Sequence, residues 1–375
     1  MSDNFNGSIA QNNVQFPIET VIQPLAGENY SRVLVYIPTS QAETYLPGVS
    51  GAAAGQLVEL NSNNYGELTG GLLKNSLVPF FTKATTAKLG VAIYDDGEEA
   101  TTNTLALVYA GTKMWAYFKV GIAGTSAYND LQVALSNLCV VDPLYSDLWI
   151  GTSDNNVLQQ SSALIGALKA ANSNARVIYN NNAEINPALA QLGSSLSVVN
   201  TTGTPVGNSV DMVGFNTIEA SGIVDADGKH QNLSATEKAT LDAQKIGYNT
   251  YVGDGTENVA TEGSLTLKGE SVGANWVKHY IEFVCKVKGA NLITRMNTFR
   301  NNATYQAILS LITDQARPFM AFGRLADLHI TAPVFSDLPE SGDAITVPNA
   351  WEATYVDNVR SVTVYGTLYL TQPTR

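Results

Sequence analysis

The regular alternation of strand-like and helix-like segments between residues 32 and 215 constrains the fold more than any other feature. Short runs of β-branched and aromatic residues predict strands, and the longer stretches between them carry apolar residues at helical spacing. Strands separated by helices of this length favour a substantially parallel sheet. The pattern therefore predicts an α/β fold, α+β over the whole chain. The predicted strands are Arg32–Ile37, Leu89–Tyr94, Leu105–Ala110, Trp115–Val120, Asp147–Thr152 and Arg176–Tyr179.

Two helices are predicted among these strands. The first covers about Gly66 to Lys83, and we expect Pro79 to kink or end it because proline has no N–H to donate. The second begins at Asp154 or Asn155, since either side chain can accept a hydrogen bond from the first turn. The apolar face of this second helix consists of Val157, Leu158, Leu164, Ile165 and Leu168.

From residue 216 onward the pattern changes. Ser234 and Glu237 form a capping box, which predicts a short helix to about Lys245. A strand over 246–252, a glycine-rich loop or hairpin over 253–273 and an amphipathic helix over 276–288 follow, the last of them stopped by Gly289. A further helix is predicted from a cap at Asn301 or Asn302 to a point before Pro318. The closing strands are predicted near Asp327–Ala332, Ala344–Val347 and Ser361–Leu370.

The chain closes on a segment of strict alternation. From Ser361 to Leu370 the apolar face carries Val362, Val364, Leu368 and Leu370, which is the period-2 pattern of a half-buried strand. Since only Thr371–Arg375 follow, we expect either an earlier segment of the chain or another chain to supply its hydrogen-bonding partner.

The first 26 residues are polar and contain a second candidate linking strand. Its apolar residues are Phe16, Ile18, Val21 and Ile22, and Pro17 would confine it to a sheet edge. An extended arm and a disordered tail are both compatible with this composition.

Composition excludes several classes of protein. The net charge of −12 argues against wrapping nucleic acid, because phosphate neutralisation needs basic patches. Two isolated cysteines, Cys139 and Cys285, exclude a disulfide scaffold and fit a reducing compartment. We find no signal-peptide pattern and no apolar run of the roughly 18 residues that a membrane span needs, so no membrane insertion is expected.

No sequence motif predicts catalysis. The chain lacks the phosphate-binding, dinucleotide-binding and nucleophile-elbow glycine motifs. His230, His279 and His329 are widely spaced and have no metal-ligand spacing. Asp225-Ala-Asp-Gly228 lacks the later ligands of a calcium loop, so an acidic turn is the better interpretation. We therefore predict no catalytic residue, no cofactor and no metal.

One segment is basic in an otherwise acidic chain. Between Asn275 and Ile330 seven basic and three acidic residues give a net charge of +4 in a chain of net charge −12. Such a segment can face an acidic partner, although a solvated helix face explains the same charges. The lysines in its predicted helix are Lys278, Lys286 and Lys288.

Ordered segments of the C-terminal half resemble the contractile-tail sheath proteins of bacteriophages, particularly the compact sheaths related to contractile injection systems. The resemblance covers a segment leading into the inner domain, a short helix with its strand, a glycine-rich loop, a long helix and a closing strand. The corresponding residues are Val213–Ile223, Leu233–Tyr251, Glu262–Trp276, Trp276–Thr294 and Ser361–Leu370. The loops are this chain's own, and 295–299 replaces a family stretch containing proline and tyrosine.

The resemblance implies an organisation and a set of partners. It implies an N-terminal linking arm (1–26), an outer α/β domain (27–215), an inner sheath domain (216–360) and a C-terminal linking strand (361–375). Subunits of this family stack as hexameric rings around a tail tube, donate arm strands to neighbours and contract to drive the tube through the host envelope. The implied partners are further copies of the chain, the tube protein, and the baseplate and tail terminator proteins.

The same resemblance assigns a location and roles to residues. It implies the virion tail, and the host cytoplasm during assembly. Lys278, Lys286 and Lys288 become candidates for facing the tube, and the two apolar terminal segments become candidate donated strands. Two alternatives stay open, namely another tail or baseplate component and a soluble α/β enzyme or binding protein. The helices predicted at 276–288 and 303–315 argue against a tube protein.

Overall fold

The computed structural model describes most of the chain between residues 32 and 356, with gaps. The described residues are 14–15, 32–46, 55–69, 71–84, 87–94, 116–122, 128–141, 146–197, 218–219, 233–251, 259–262, 265–295, 301–321, 323, 325–338, 345–346 and 350–356.

Strands and helices alternate through the described chain. The strands are β1 (Val14–Gln15), β2 (Val33–Pro38), β3 (Leu57–Leu60), β4 (Leu89–Tyr94), β5 (Phe118–Gly121), β6 (Asp147–Thr152), β7 (Arg176–Tyr179), β8 (Ile218–Glu219), β9 (Gly247–Tyr251), β10 (Val259–Glu262), β11 (Leu325–Ile330), β12 (Ile345–Thr346) and β13 (Trp351–Tyr355). The helices are α1 (Thr39–Tyr45), α2 (Leu72–Lys83), α3 (Tyr128–Val141), α4 (Ala163–Ala170), α5 (Pro187–Ser197), α6 (Ala235–Gln244), α7 (Val272–Arg295) and α8 (Asn302–Ala321).

The main sheet confirms the predicted parallel core. Its strand order is β3-β4-β2-β5-β6-β7-β9-β10-β8, and the pairs from β4 to β9 are all parallel. The sheet continues past residue 215, since Ile178 of β7 pairs with Gly247 of β9. One sheet therefore includes strands from both sides of the predicted domain boundary, and the division into domains remains a prediction.

Two cores cover the two faces of this sheet. Alternate residues of β2 enter different cores, with Val35 in one and Tyr36 in the other. Helices α2, α5, α7 and α8 cover the first face, and α3, α4 and α6 cover the second. The C-terminal helices α7 and α8 thus share a core with the early strands, because their apolar stripes lie on the same side of the sheet.

Two helices of the N-terminal half differ from the prediction. Helix α2 begins at Leu72 rather than near Gly66, and Pro79 lies inside it instead of ending it. Burial of Leu77, Phe80 and Phe81 against the sheet outweighs the loss of one backbone hydrogen bond.

The helix predicted from Asp154 is wrong as one continuous element. Asp154 caps only a short 3₁₀ turn, where its Oδ1 accepts a 3.0 Å bond from the Asn156 N–H. The left-handed backbone of Gln160 (φ 56°) then interrupts the helical path, and α4 starts after Ser162.

The C-terminal helices are longer than predicted. Helix α7 continues through Gly289 to Arg295, and α8 continues through Pro318 to Ala321. Packing of both helices on the shared core outweighs the local preference of these two residues to end a helix. The predicted caps are confirmed, since Asn301 Oδ1 accepts a 2.8 Å bond from Thr304 N and Ser234 forms the capping box of α6.

Several elements have no counterpart in the sequence prediction. Helices α1, α3 and α5 and strands β3 and β13 are examples, and all carry mixed polar and apolar residues with weak periodicity. The predicted strand over 105–110 lies outside the described residues, as do both candidate linking strands, Phe16–Ile22 and Ser361–Leu370.

Candidate assembly surfaces

A separate two-stranded sheet at the C-terminal end of the described chain is the first candidate surface. Strand β11 follows α8 directly and pairs antiparallel with β13, from Leu325↔Tyr355 to Ile330↔Trp351. Leu328 and Ala353 lie opposite one another and pack against the α7–α8 core. Among the described residues this sheet has two strands, so each strand has one edge outside the pair.

The outer face of the β11–β13 sheet is polar. His329 Nε2 lies 3.4 Å from Asp327 Oδ2, and Asp327 Oδ1 accepts a 2.9 Å bond from the Thr354 N–H. The hydrogen bonds to Thr354, with a smaller contribution from His329, hold the pKa of Asp327 below its ordinary value. Glu352 pairs with His329 in the register and is exposed, so the face carries two carboxylates.

Exposed apolar side chains flank this sheet. Val334 follows β11 and is 61% exposed, and Val356 follows β13 and is 42% exposed. Ile330, at the end of β11, is 39% exposed. Exposed aliphatic residues beside open strand edges are typical of surfaces that bind an added strand, because side-chain pockets supplement the backbone bonds.

The second candidate surface is the basic side of α7. Lys278 and Lys288 are exposed, whereas the side chain of Lys286 lies outside the described set. Glu282 lies one turn after Lys278, and burial raises the pKa of its carboxyl while Lys278 opposes that rise. Two of the three lysines predicted to face the tube are thus available to a partner, and their role remains a proposal.

The opposite side of α7 is anchored to the main sheet by a polar contact. His279 Nδ1 lies 3.1 Å from the hydroxyl oxygen of Tyr117, the residue that precedes β5. Burial, with a smaller contribution from Lys278, lowers the pKa of His279 to about 3, so the imidazole is neutral at ordinary pH. The contact therefore joins residues 162 positions apart without an ion pair.

An aromatic cluster surrounds this contact. Trp276 stacks on Tyr280 with ring centroids 5.3 Å apart and meets the edges of Tyr117 and Phe319. Trp276 is 1% exposed. Aromatic pairs of this geometry stabilise beyond their buried area, so β5, α7 and α8 are held together as a packed unit.

A short hairpin holds the first turn of α7. Leu265 and Ser271 form an isolated bridge, and between them the Leu267 N–H donates to Ala175 O at 2.9 Å. Glu270 Oε2 accepts bonds from the side-chain amides of Asn174 (2.8 Å) and Asn275 (2.9 Å). One carboxylate therefore connects the loop before β7 with α7 itself.

Buried ionisable residues in the main sheet were missed at the sequence level. Asp147 and Arg176 begin neighbouring strands, and Arg176 Cζ lies 4.2 Å from the Trp149 ring centroid. Burial raises the pKa of Asp147 to about 7 and lowers that of Arg176 to about 9, and each opposes the shift of the other. Burial also lowers the pKa of Lys119 to about 8.

The position of these residues argues for a structural role. They lie at the amino ends of the parallel strands, whereas ligands of open α/β sheets bind outside the carboxyl ends. Lys119 donates to Ala116 O and is buried, so its ammonium is internally bonded. No sequence signal marks these residues, because each stands singly at the start of an ordinary strand.

The carboxyl edge of the sheet is filled by the chain's own amides. A Cβ added to Gly121 would lie 2.2 Å from Gln132 Nε2, and one added to Gly151 would lie 2.3 Å from Asn186 Oδ1. Asn180 and Asn249 bond to each other at 3.1 Å across β7 and β9. The positions where a ligand would approach the backbone are thus occupied by protein side chains.

Searches for other kinds of site were confined to the described residues. Within them, no group of three histidine, cysteine or acidic side chains is arranged to hold a metal ion. No helix in the same ranges has the length and hydropathy to cross a membrane. The acidic turn at Asp225–Gly228 lies outside these ranges.

Solved structures match the fold over almost the whole chain. A chain in the anti-feeding prophage baseplate, six-fold symmetrised, aligns with a TM-score of 0.65 at 11% identity, covering 94% of this protein and 98% of that chain. The sheath complex of an extracellular contractile injection system, PVC, in the contracted state aligns with a TM-score of 0.59 at 13% identity, covering 94% and 97%. The helical sheath of the anti-feeding prophage in the contracted state gives 0.60 at 11%, covering 96% and 99%.

The chain has the fold of a contractile sheath protein. No family model and no curated relative matches its sequence. The predicted resemblance and the α/β fold class are confirmed at the level of fold. At 11–13% identity the likeness concerns the backbone arrangement, so residue roles must be argued from this chain alone.

Proposed function

We propose that the protein is the structural subunit of a contractile phage tail sheath. In this proposal it polymerises as stacked hexameric rings around the tail tube and contracts to drive the tube through the host envelope during genome delivery. The observation that carries the proposal is the match to contracted sheaths over 94–96% of the chain. Its location would be the virion tail, and the host cytoplasm during assembly.

Neighbouring subunits would be linked by donated strands. The N-terminal candidate carries Phe16, Ile18, Val21 and Ile22, and the C-terminal one carries Val362, Val364, Leu368 and Leu370. The outer edges of the β11–β13 sheet are the proposed acceptors, because a two-stranded sheet gains stability from each added strand.

The energetics of one donated strand are nearly balanced. Six main-chain hydrogen bonds contribute about 6 kcal/mol, whereas ordering each arm residue costs about 1–2 kcal/mol. Burial of the four apolar residues from Val362 to Leu370 adds about 1.5–3 kcal/mol for each one that becomes fully covered. A lone link is therefore reversible, and a closed ring of links is stable because the contacts form cooperatively.

The anchored helix α7 would transmit force within each subunit. Tyr117, Glu270 and Trp276 join α7 to the main sheet through a hydrogen bond, a shared carboxylate and aromatic packing. A subunit built this way can rotate as a nearly rigid body while its arms hold the neighbours. Contraction would then release energy stored in the extended lattice, with no nucleotide required.

Removal of the C-terminal linking strand tests the proposal directly. Electron microscopy of the purified protein should show hollow cylinders, and a variant lacking residues 361–375 should remain a folded monomer by circular dichroism. Polymers that persist after this deletion would exclude strand donation by this segment. A monomer of the full chain under all conditions would contradict the sheath proposal itself.

The length of the polymers separates the sheath from its nearest alternative. One of the matched chains belongs to a baseplate, so a baseplate component remains the second candidate. A sheath subunit should give cylinders of many stacked rings, and a baseplate component should give single rings.

The tube would lie against the basic side of α7. Lys278, Lys286 and Lys288 are the proposed contacts with an acidic tube surface, and the baseplate and tail terminator proteins would bound the polymer. Replacing all three by Glu should prevent assembly on purified tubes at low salt. The matched control reverses Lys169 and Lys268, two exposed lysines of the outer layer, and should assemble normally. Normal assembly of the triple variant at low salt would remove α7 as the tube surface, because screening cannot explain it.

A further inference from the structure

The first described strand of the chain pairs with a strand near its end. Strand β1 lies parallel to β12, with Val14 opposite Ile345 and Gln15 opposite Thr346. Strand β12 lies between β11 and β13 in the chain, next to the proposed acceptor sheet. The N-terminal arm of the subunit is therefore docked on the subunit's own C-terminal region.

The connection between this contact and the main sheet is long. Residues 16–32 separate β1 from β2, and a chain of that length can span up to about 60 Å when extended. The arm can thus reach a neighbouring subunit in a polymer as well as its own β12. Its intramolecular position reflects a choice between two reachable partners.

We propose that β12 is a docking edge for the segment Val14–Gln15, occupied by the subunit's own arm before assembly and by a neighbour's arm in the polymer. The intramolecular contact then delays polymerisation until the arm is exchanged. This inference rests on the proposed sheath function, and the arm exchange is a domain swap.

The size of the contact suits exchange. Two residues on each strand make few main-chain bonds, so the arm dissociates readily. A flexible tether gives the arm an effective concentration of about 1 mM at its own edge, so the intramolecular contact prevails in dilute solution. In a growing ring several arms and edges are held together, and the intermolecular contact becomes the favoured one.

Disulfide cross-linking can distinguish the two partners. The test protein carries Val14→Cys and Ile345→Cys, which lie opposite in the pairing, and has Cys139 and Cys285 replaced by alanine. The matched controls carry one of the two new cysteines each. Oxidation of dilute monomer should give an intramolecular disulfide in most molecules, with loss of both free thiols and no dimer on a denaturing gel. The single-cysteine controls should stay reduced or form dimers.

Assembly of the oxidised protein gives the second measurement. Oxidised monomer should polymerise at least tenfold more slowly than the same protein reduced with dithiothreitol, and oxidation after assembly should give covalent ladders. Exclusively intermolecular cross-links in dilute monomer, or equal polymerisation of oxidised and reduced protein, would overturn the proposal. Failure of reduced and wild-type protein to polymerise at all would instead overturn the sheath function, while the cross-link would still report the docking.

Discussion

Strands β2 and β11 both contain six residues, yet they are used in opposite ways. All six residues of Val33–Pro38 are buried, and the strand is bonded on both edges, to β4 and β5. Of Leu325–Ile330 only the first residue is buried, and within the described chain the strand pairs with β13 alone. The comparison shows that a single chain can build a closed, rigid sheet and an open sheet available to partners. Experiments that perturb one region without the other test this division.

Removing a core aromatic should separate the two regions most strongly. Trp276→Ala should lower the free energy of unfolding by about 3–5 kcal/mol, because a large buried ring is lost from the junction of β5, α7 and α8. Val334→Ala, beside the open sheet, should change it by less than about 0.5 kcal/mol but reduce polymerisation. Chemical denaturation and electron microscopy measure the two effects, and a large stability loss in the Val334 variant would contradict the division.

Close packing of helices in the core gives the next largest effect. A Cβ on Gly193 of α5 would lie 2.4 Å from Phe80 Cα in α2, where backbone cannot move cheaply. Gly193→Ala should therefore destabilise the protein by about 1–3 kcal/mol in thermal unfolding. Gly166→Ala on exposed α4 is the control and should stabilise by about 0.5–1 kcal/mol, because nothing lies within 4 Å of the new methyl. Equal effects at the two sites would show that α2 and α5 are not in close contact.

The neutral His279 should make the junction sensitive to acid. Its pKa of about 3 lies below the ordinary value of 6.5, so the unfolded chain binds the proton more tightly and stability falls as pH decreases from 6.5 towards 3. The loss should be at most about 1.4 kcal/mol per pH unit. His279→Gln should flatten this part of the stability curve measured by denaturation at pH 7, 6 and 5.

A comparison with Asp147 keeps the sign of that effect clear. The pKa of Asp147 is raised to about 7, so its contribution to stability increases as pH falls from 7 towards 4. Asp147→Asn should therefore steepen the acid loss that His279→Gln relieves. Identical pH profiles for the wild type and the His279 variant would show that the imidazole does not titrate as the buried contact requires.

The sequence could predict elements whose residues carry strong local patterns. Strands β6 and β7 were predicted with their observed bounds, because apolar and aromatic runs ended at clear breaks. The capping box of Ser234 and Glu237 was equally reliable, since both partners lie within four residues. Predictions failed at Pro79, Gly289 and Pro318, where packing against a core formed by distant residues outweighed a local helix-ending preference.

The candidate surfaces show the same limit. The basic residues of α7 were visible in the sequence, and Lys278 and Lys288 are exposed in the structure. The anchor between Tyr117 and His279 joins residues 162 positions apart, and nothing in either local sequence indicates it. The two candidate linking strands lie outside the described residues, so their roles stay predictions.

By itself, the sequence determined the α/β class, most strand positions and the resemblance to sheath proteins, because side-chain periodicity and capping act over a few residues. The tertiary structure alone decided that one nine-stranded sheet crosses residue 215, that α7 is fixed to it, and that β11 and β13 form an open pair. These features depend on contacts between segments far apart in the chain, whose free energies come from burial and are not encoded by any single segment.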